Sequence, residues 1–191
     1  MKVVALVLAA GQGARFGADK RQALMADGRS LLQHSVERAL AVFDEVRVVL
    51  RAGERGEDLG LPPACRVVHS PDAGLGMGHS LAAGAASLGD SEAQAVAILL
   101  GDMPWIRPAT LAHLSQSVTA TSIVVPVFLG DSGHPVLFGR SFWPELLCLA
   151  GDMGARSILQ RHPEHVVHLE VSDPGVLQDV DTPATLRQLP S

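Results

Sequence analysis

Apolar residues along the chain fall into short unbroken runs separated by stretches with helical spacing. Val3 to Ala9 is an uninterrupted, valine-rich run too short for a typical helix, so it predicts a strand buried on both faces, with Ala10 to Lys20 as the loop that follows. Ser30 is placed to cap a helix in which Leu31, Leu32, Val36, Ala39 and Leu40 share one face. Val46 to Leu50 predicts a second strand and Arg66 to His69 a short third one. The segment SPDAGLGMGHSLAAGAASL begins as a turn and becomes an Ala/Leu-rich helix from about Met77 to Leu88. Gly84 inside that helix costs roughly 1 kcal/mol against alanine, which points to close packing on a sheet. Val96 to Leu100 is the next buried strand, ending at Gly101 and Asp102, and Pro108 opens a helix that carries Leu111 and Leu114.

The second half is more mixed. Ser122 to Phe128 and Pro135 to Phe138 predict strands around the polar turn GDSGH. Phe142 to Leu149 and Ala155 to Arg161 predict short helices, and Val166 to Val171 a last strand. Asp181 or Thr182 can cap a final helix with Pro183 near its first position. Strands alternating with helices predict an α/β protein: a three-layer, mostly parallel, doubly wound sheet whose hairpin-like insert makes one edge mixed. No linker, low-complexity tract or repeat interrupts the chain, so residues 1–191 are expected to form a single domain.

Composition narrows the functional classes. With 191 residues, 47% of them hydrophobic, the chain can bury a sizeable core. A formal charge of −5 argues against a broad polyanion-binding surface, so no nucleic acid is expected, while a local pocket for a small anion stays open. Arginine supplies nearly all positive charge: the lysines are Lys2 and Lys20, and Lys20 follows the glycine-rich stretch after the first apolar run. Cys65 and Cys148 fit no paired-cysteine metal pattern and read as core or near-core thiols. The first apolar run passes into glycines without signal-peptide architecture, and no stretch approaches the ~20 apolar residues of a membrane span. The expectation is a soluble cytoplasmic protein without a membrane partner.

Three segments carry candidate chemistry. In LAAGQGARFGADK, a buried strand delivers Gly11, Gly13 and Gly17 into a turn whose backbone can approach phosphates, while Arg15 and Lys20 supply charge. The spacing is neither the dinucleotide fingerprint nor the P-loop. In AILLGDMPWI, Asp102 stands at the carboxyl end of a buried strand, where a carboxylate can hold Mg²⁺ or cap the next turn. In LQDVDTPATL, Asp179 and Asp181 alternate across Val180; extended chain would point both carboxylates one way, whereas a helix start would use Asp181 as a cap. Together these describe one site, a glycine-rich phosphate loop with Arg15 and Lys20 beside Asp102 and Asp181 for a divalent metal arriving with a triphosphate. His79 and His134, in GMGHS and SGHPV, serve either substrate contact or loop structure, whereas His162, His165 and His168 read as surface residues. Ser80 and the helix start after GLGMG can face a ligand, and Arg156 in GDMGAR either binds an acceptor phosphate or forms an ordinary ion pair.

At LAAGQGARFGADK, GLGMGHSLAAG, LGDMP, GHPVLF, GDMGAR and DVDTPATL, in this order over essentially the whole chain, the sequence resembles the MobA-like nucleotidyltransferases. The resemblance implies a Rossmann-like nucleotidyltransferase fold holding the nucleotide at the carboxyl ends of the strands. It implies nucleotide contacts from Leu8, Ala9, Ala10, Gly11, Gly13, Arg15, Lys20 and Ser80, catalytic roles for Arg15, Lys20 and Asp102, and Mg²⁺ on Asp102 and Asp181. His79, His134 and Arg156 would form the acceptor side. The Ala9-Ala10-Gly11 loop with GHP is more similar to the cytidylyl-transferring branch, which implies CTP and the molybdenum cofactor as substrates and a xanthine-dehydrogenase-type molybdoenzyme as recipient. The guanylyl branch, sugar-phosphate or polyol-phosphate acceptors, and a cofactor-delivery protein of the same fold are the alternatives. The chain departs from the family's apolar or proline-containing pattern at KRQALMADGRS, which leaves the roles of Arg21 and Gln22 open, along with that of Asp179.

Overall fold

The computed structural model describes residues 1–11, 19–152, 154–182 and 186. Its centre is β1 (Val3–Leu8), buried at every position as the apolar run requires. β2 (Glu45–Arg51) and β4 (Ala95–Leu100) flank it in parallel, and β3 (Arg66–Ser70) extends the sheet beyond β2, also in parallel. On the other side β4 pairs antiparallel with β7 (Val136–Gly139), β7 antiparallel with β5 (Ile123–Phe128), and β5 in parallel with β8 (Val166–Glu170). The mixed region therefore starts one strand beyond β4, inside the sheet, and β8 closes that margin in parallel. The polar turn of the insert contains β6 (Asp131–Ser132), which pairs with the end of β5. Leu129 and Gly130 between them have φ of 51° and 90°, the left-handed pair that a two-residue hairpin turn requires.

Alternation along β1 sorts the core into two layers. Val3, Ala5 and Val7 pack with Val36 of α1 (Leu31–Leu40) and with Leu111 and Leu114 of α3 (Pro108–Ser117). Val4, Leu6 and Leu8 pack with Leu81 and Ala85 of α2 (Met77–Ser87), Leu146 of α4 (Trp143–Leu147) and Ile158 of α5 (Arg156–Arg161). The chain is thus the expected three-layer α/β structure. Ser30 caps α1 reciprocally: its hydroxyl accepts from the Gln33 amide at 3.2 Å, and the Gln33 side chain accepts from the Ser30 amide at 2.7 Å. At Gly84 a β-carbon would stand 2.5 Å from Leu6, which confirms the close helix–sheet contact its placement suggested.

The helix expected over Phe142 to Leu149 is shorter. Phe142 ends a 3-10 turn, and the chain leaves the helix at Cys148. Cys148 is exposed, against the expectation of a core thiol, because it caps a short surface helix; Cys65 is half-buried. Of the expected final helix, Leu186 is helical, while residues 183–185 lie outside the described residues. Among the described residues no helix is long and apolar enough to cross a membrane.

Candidate nucleotide and metal site

β1 and β4 run in register to their ends, Leu8 opposite Leu100, so Ala9–Gly11 and Gly101–Asp102 leave the sheet side by side. Such a carboxyl-end crevice is where open α/β sheets bind ligands. Lys20, on a short 3-10 turn, returns to the same point: its Nζ donates to Asp102 Oδ2 at 2.6 Å and to the Val180 carbonyl at 3.3 Å, and lies 3.5 Å from Asp181 Oδ1. Burial opposes the Lys20 ammonium, but its hydrogen bond to Asp102 and the charges of Asp102 and Asp181 outweigh that and raise the lysine above its ordinary value.

The acidic segment near the end of the chain is tied to this crevice by Val180, which is fully buried and donates its amide to the Asp102 carbonyl at 3.0 Å. With Val180 turned inward, its neighbours turn together, and one carboxylate oxygen from each of Asp102, Asp179 and Asp181 falls within 4.8 Å of the others. Asp179 thereby joins the cluster, while the cap alternative for Asp181 concerns residues 183–185, which lie outside the described residues. Carboxylate oxygens without thiol or imidazole are the donors that hard divalent cations take, so the set fits Mg²⁺ or Mn²⁺.

A cavity of about 370 Å³ extends from this cluster. Leu8, Ala9, Ala10, Gly11, Lys20, Ser80 and Asp102, all anticipated, lie in its walls; Gly74, Gly76, Met77 and Asp152 close the opposite side. The glycines of the GLGMG segment allow that closure. The Gly78 amide donates to the Gly151 carbonyl at 2.7 Å, and a β-carbon at Gly78 would meet Ala150 backbone at 2.7 Å. Gly13 and Arg15 lie outside the described residues.

A second cavity, of about 670 Å³, shares Leu8, Met77 and Leu100 with the first. Ile98, Val125, Val136 and Phe138 floor it, and Arg156 and Leu159 of α5 stand opposite. His134 is in its wall, with an amide that donates to the Val176 carbonyl at 2.8 Å and a buried Nδ1 lacking a partner among the described residues. Burial pushes the His134 imidazole below its ordinary value, against the charges of Asp102 and Asp179. His168, read from sequence as a surface residue, is exposed and borders this cavity, whereas His79 is half-buried on the first turn of α2 and lines neither space.

The sequence reading did not find the ion network behind the loop. Arg21 is 6% exposed and donates to both Glu54 oxygens, at 2.8 and 2.6 Å, to both Asp19 oxygens, at 2.8 and 2.5 Å, and to the Ala9 carbonyl at 2.7 Å. Burial opposes its charge, but Glu54 and Asp19 hold it firmly protonated, and hydrogen bonds from Arg21 hold both carboxyls below their ordinary values. The signal available beforehand was the departure from the family pattern directly after Lys20. Nothing in sequence spacing pointed to Glu54.

Comparison with known proteins agrees with this geometry. The chain is 32% identical to the purine catabolism protein PucB of Bacillus subtilis (strain 168), over 95% of this chain and 92% of that protein. It is 31% identical to nicotine blue oxidoreductase of Paenarthrobacter nicotinovorans, over 94% and 92%. The Rv0371c protein of Mycobacterium tuberculosis H37Rv superposes with a TM-score of 0.83 at 28% identity, covering 98% of this chain and 96% of that one. A complex of the same mycobacterial protein with manganese superposes at 0.81, with 29% identity and coverage of 98% and 97%. Residues 5–166 match the MobA-like NTP transferase domain, and the chain belongs to that nucleotidyltransferase family.

Proposed function

We propose that the chain is a molybdenum cofactor cytidylyltransferase, a single catalytic domain over residues 1–191 that transfers CMP from CTP to Mo-molybdopterin and releases pyrophosphate. The observation that carries this reading is the convergence of Lys20, Asp102, Asp179 and Asp181 on the carboxyl ends of β1 and β4. In this reading Leu8 to Gly11 and Ser80 seat the nucleotide, joined by Gly13 and Arg15 from the same loop. Lys20 binds phosphate oxygens and offsets charge on the departing pyrophosphate, and Arg15 acts beside it. Asp102 and Asp181, with Asp179 adjacent, would hold Mg²⁺. When bound, the ion supplies Lewis-acid stabilisation of charge on the triphosphate. The manganese complex of the mycobacterial relative supports a divalent ion here.

The larger cavity takes the acceptor. Its apolar floor suits a flat ring system, Arg156 binds the acceptor phosphate, and His134, neutral at pH 7, offers hydrogen bonds without charge. The terminal phosphate of the acceptor is anionic and attacks without a protein base, so the chain's task is positioning and water exclusion. His79, outside both cavities, is left out of the site. A relative named for purine catabolism accords with a xanthine-dehydrogenase-type recipient.

Turnover of CTP, GTP and ATP with Mo-molybdopterin and Mg²⁺ tests the assignment. The expected result is a cytosine dinucleotide product and pyrophosphate with CTP alone. Product with GTP, or with a sugar or polyol phosphate as acceptor, moves the chain to a sister activity; cofactor binding without transfer makes it a delivery protein. Because one relative carries an oxidoreductase name, reduction of an added acceptor without nucleotide transfer is scored in the same assay.

A further inference from the structure

Sheet pairing stops at Ala9, whose amide donates to the Val49 carbonyl at 2.9 Å. Beyond it, the carbonyls of the next residues are taken by two arginine side chains, of which Arg21 itself borders the cavity. Arg21 Nη1 donates to Ala9 O at 2.7 Å, Arg51 Nε donates to Ala10 O at 3.3 Å, and Arg51 Nη2 donates to Gly11 O. In a trans peptide the carbonyl and the following N–H point to opposite sides of the chain. Fixing the carbonyls of Ala9 and Ala10 on guanidinium groups therefore turns the amides of Ala10 and Gly11 the other way, and both residues wall the 370 Å³ cavity. Neither amide makes a hydrogen bond to the described residues. Two successive N–H groups turned away from the arginines offer a pair of donors to an anion.

The two arginines are linked by one carboxylate. Glu54, just past β2, accepts from Arg21 on both oxygens and from the Arg51 amide at 2.9 Å, with Arg51 Nη1 at 3.6 Å, and its own carbonyl is 2.7 Å from His69 Nε2 on β3. Asp19 takes the remaining edge of the Arg21 guanidinium. All five N–H donors of the Arg21 guanidinium are engaged by Asp19, Glu54 and the Ala9 carbonyl, which leaves none for a phosphate.

We infer that Arg21, together with Glu54 and Arg51, is a positioning unit that presents the amides of Ala10 and Gly11 to the nucleotide. This rests on the nucleotidyltransferase reading of the cavity. A planar fork is needed because one group must reach Ala9, Asp19 and Glu54 at once, which an ammonium cannot do with the same geometry.

The test measures calorimetric binding of CTP, GTP and ATP with Mg²⁺ to wild type, Arg21→Met, Arg21→Lys and Glu54→Gln, followed by steady-state constants for the nucleotide that wild type binds. Loss of aimed amides is expected to weaken nucleotide binding about tenfold in Arg21→Met, and raise its KM likewise, with kcat and acceptor KM within about threefold. Arg21→Lys is expected to keep most of that defect, and Glu54→Gln, which leaves Arg21 in place, a smaller defect of the same kind. Unchanged nucleotide affinity in folded Arg21→Met, full recovery in Arg21→Lys, or equal loss in kcat and acceptor KM overturns the inference while the nucleotidyltransferase reading stands. If Arg21→Met does not fold, unchanged affinity in Glu54→Gln overturns it. Wild type that binds no nucleoside triphosphate overturns that reading and this inference with it.

Discussion

The two cavities share three side chains and differ in nearly everything else. The smaller is built where parallel β1 and β4 end in step, so their following loops bring Lys20 and Asp102 together with backbone from Ala9 to Gly11. The larger lies over β4, β7 and β5, between α2 and α5, on a floor of aliphatic and phenylalanine side chains; Arg156 is the one arginine or lysine among its described wall residues. Parallel strands ending together create a concentrated polar crevice. The antiparallel strand inserted beside them adds Val136 and Phe138 to the floor of the apolar space. One sheet thus offers a charged space and a greasy one within a side chain of each other, suited to two unlike substrates.

Substitutions that act on one cavity alone test that division. The largest effect is expected for Asp102→Asn, which removes a carboxylate from the proposed metal cluster and the main partner of Lys20. Metal affinity and kcat should both fall, kcat by roughly a hundredfold or more, since such ions supply several kcal/mol of charge stabilisation. Transfer within threefold of wild type would remove the smaller cavity from the chemistry. Lys20→Met comes next, with kcat/KM down roughly tenfold to a hundredfold, the range for losing a hydrogen bond to a charged group. Amine labelling checks the same contact, because nucleotide should shield Lys20 and leave Lys2 reactive.

On the apolar side, Leu159→Ala should raise acceptor KM about fivefold, matching loss of roughly 1 kcal/mol of apolar contact, with the KM for CTP unmoved. An equal rise in both constants would merge the two cavities into one functional unit. The smallest effect concerns His134. Its folded pKa lies below 6.5, so the unfolded chain binds the proton first and stability is lost as pH falls below about 6.5. Denaturant titrations should show His134→Asn lacking that loss, which is at most about 1.4 kcal/mol per pH unit. Asp19 and Glu54, both depressed, add their own loss lower down, as pH drops below 3.8 and 4.5.

Local rules read the strands well. β1 and β4 were legible because a strand buried on both faces shows as an unbroken apolar run, and α1 because Ser30 stands ahead of an apolar stripe at helical spacing. Asp102 and Lys20 were legible from position alone, one at a strand end and one after a glycine loop. Asp179 was half legible: alternation across Val180 suggested a shared direction, but the buried Val180 and its bond to Asp102 are what bring the segment to the crevice. The Arg21–Glu54 contact was not legible, since the partners are 33 residues apart and an ion pair has no periodicity. The inward position of β7 was hidden for a related reason, because strand order follows from which edges meet and not from the pattern within any strand.

Leu8, Met77 and Leu100 stand in the walls of both cavities. A compound with a nucleoside phosphate at one end and a flat apolar group at the other would need a tether only a few bonds long to occupy both. Short tethers place the second group at an effective concentration near millimolar, so two weak fragments joined here would gain affinity well beyond either alone. On the proposed assignment of the two cavities, those shared side chains make bisubstrate compounds the natural inhibitors to try.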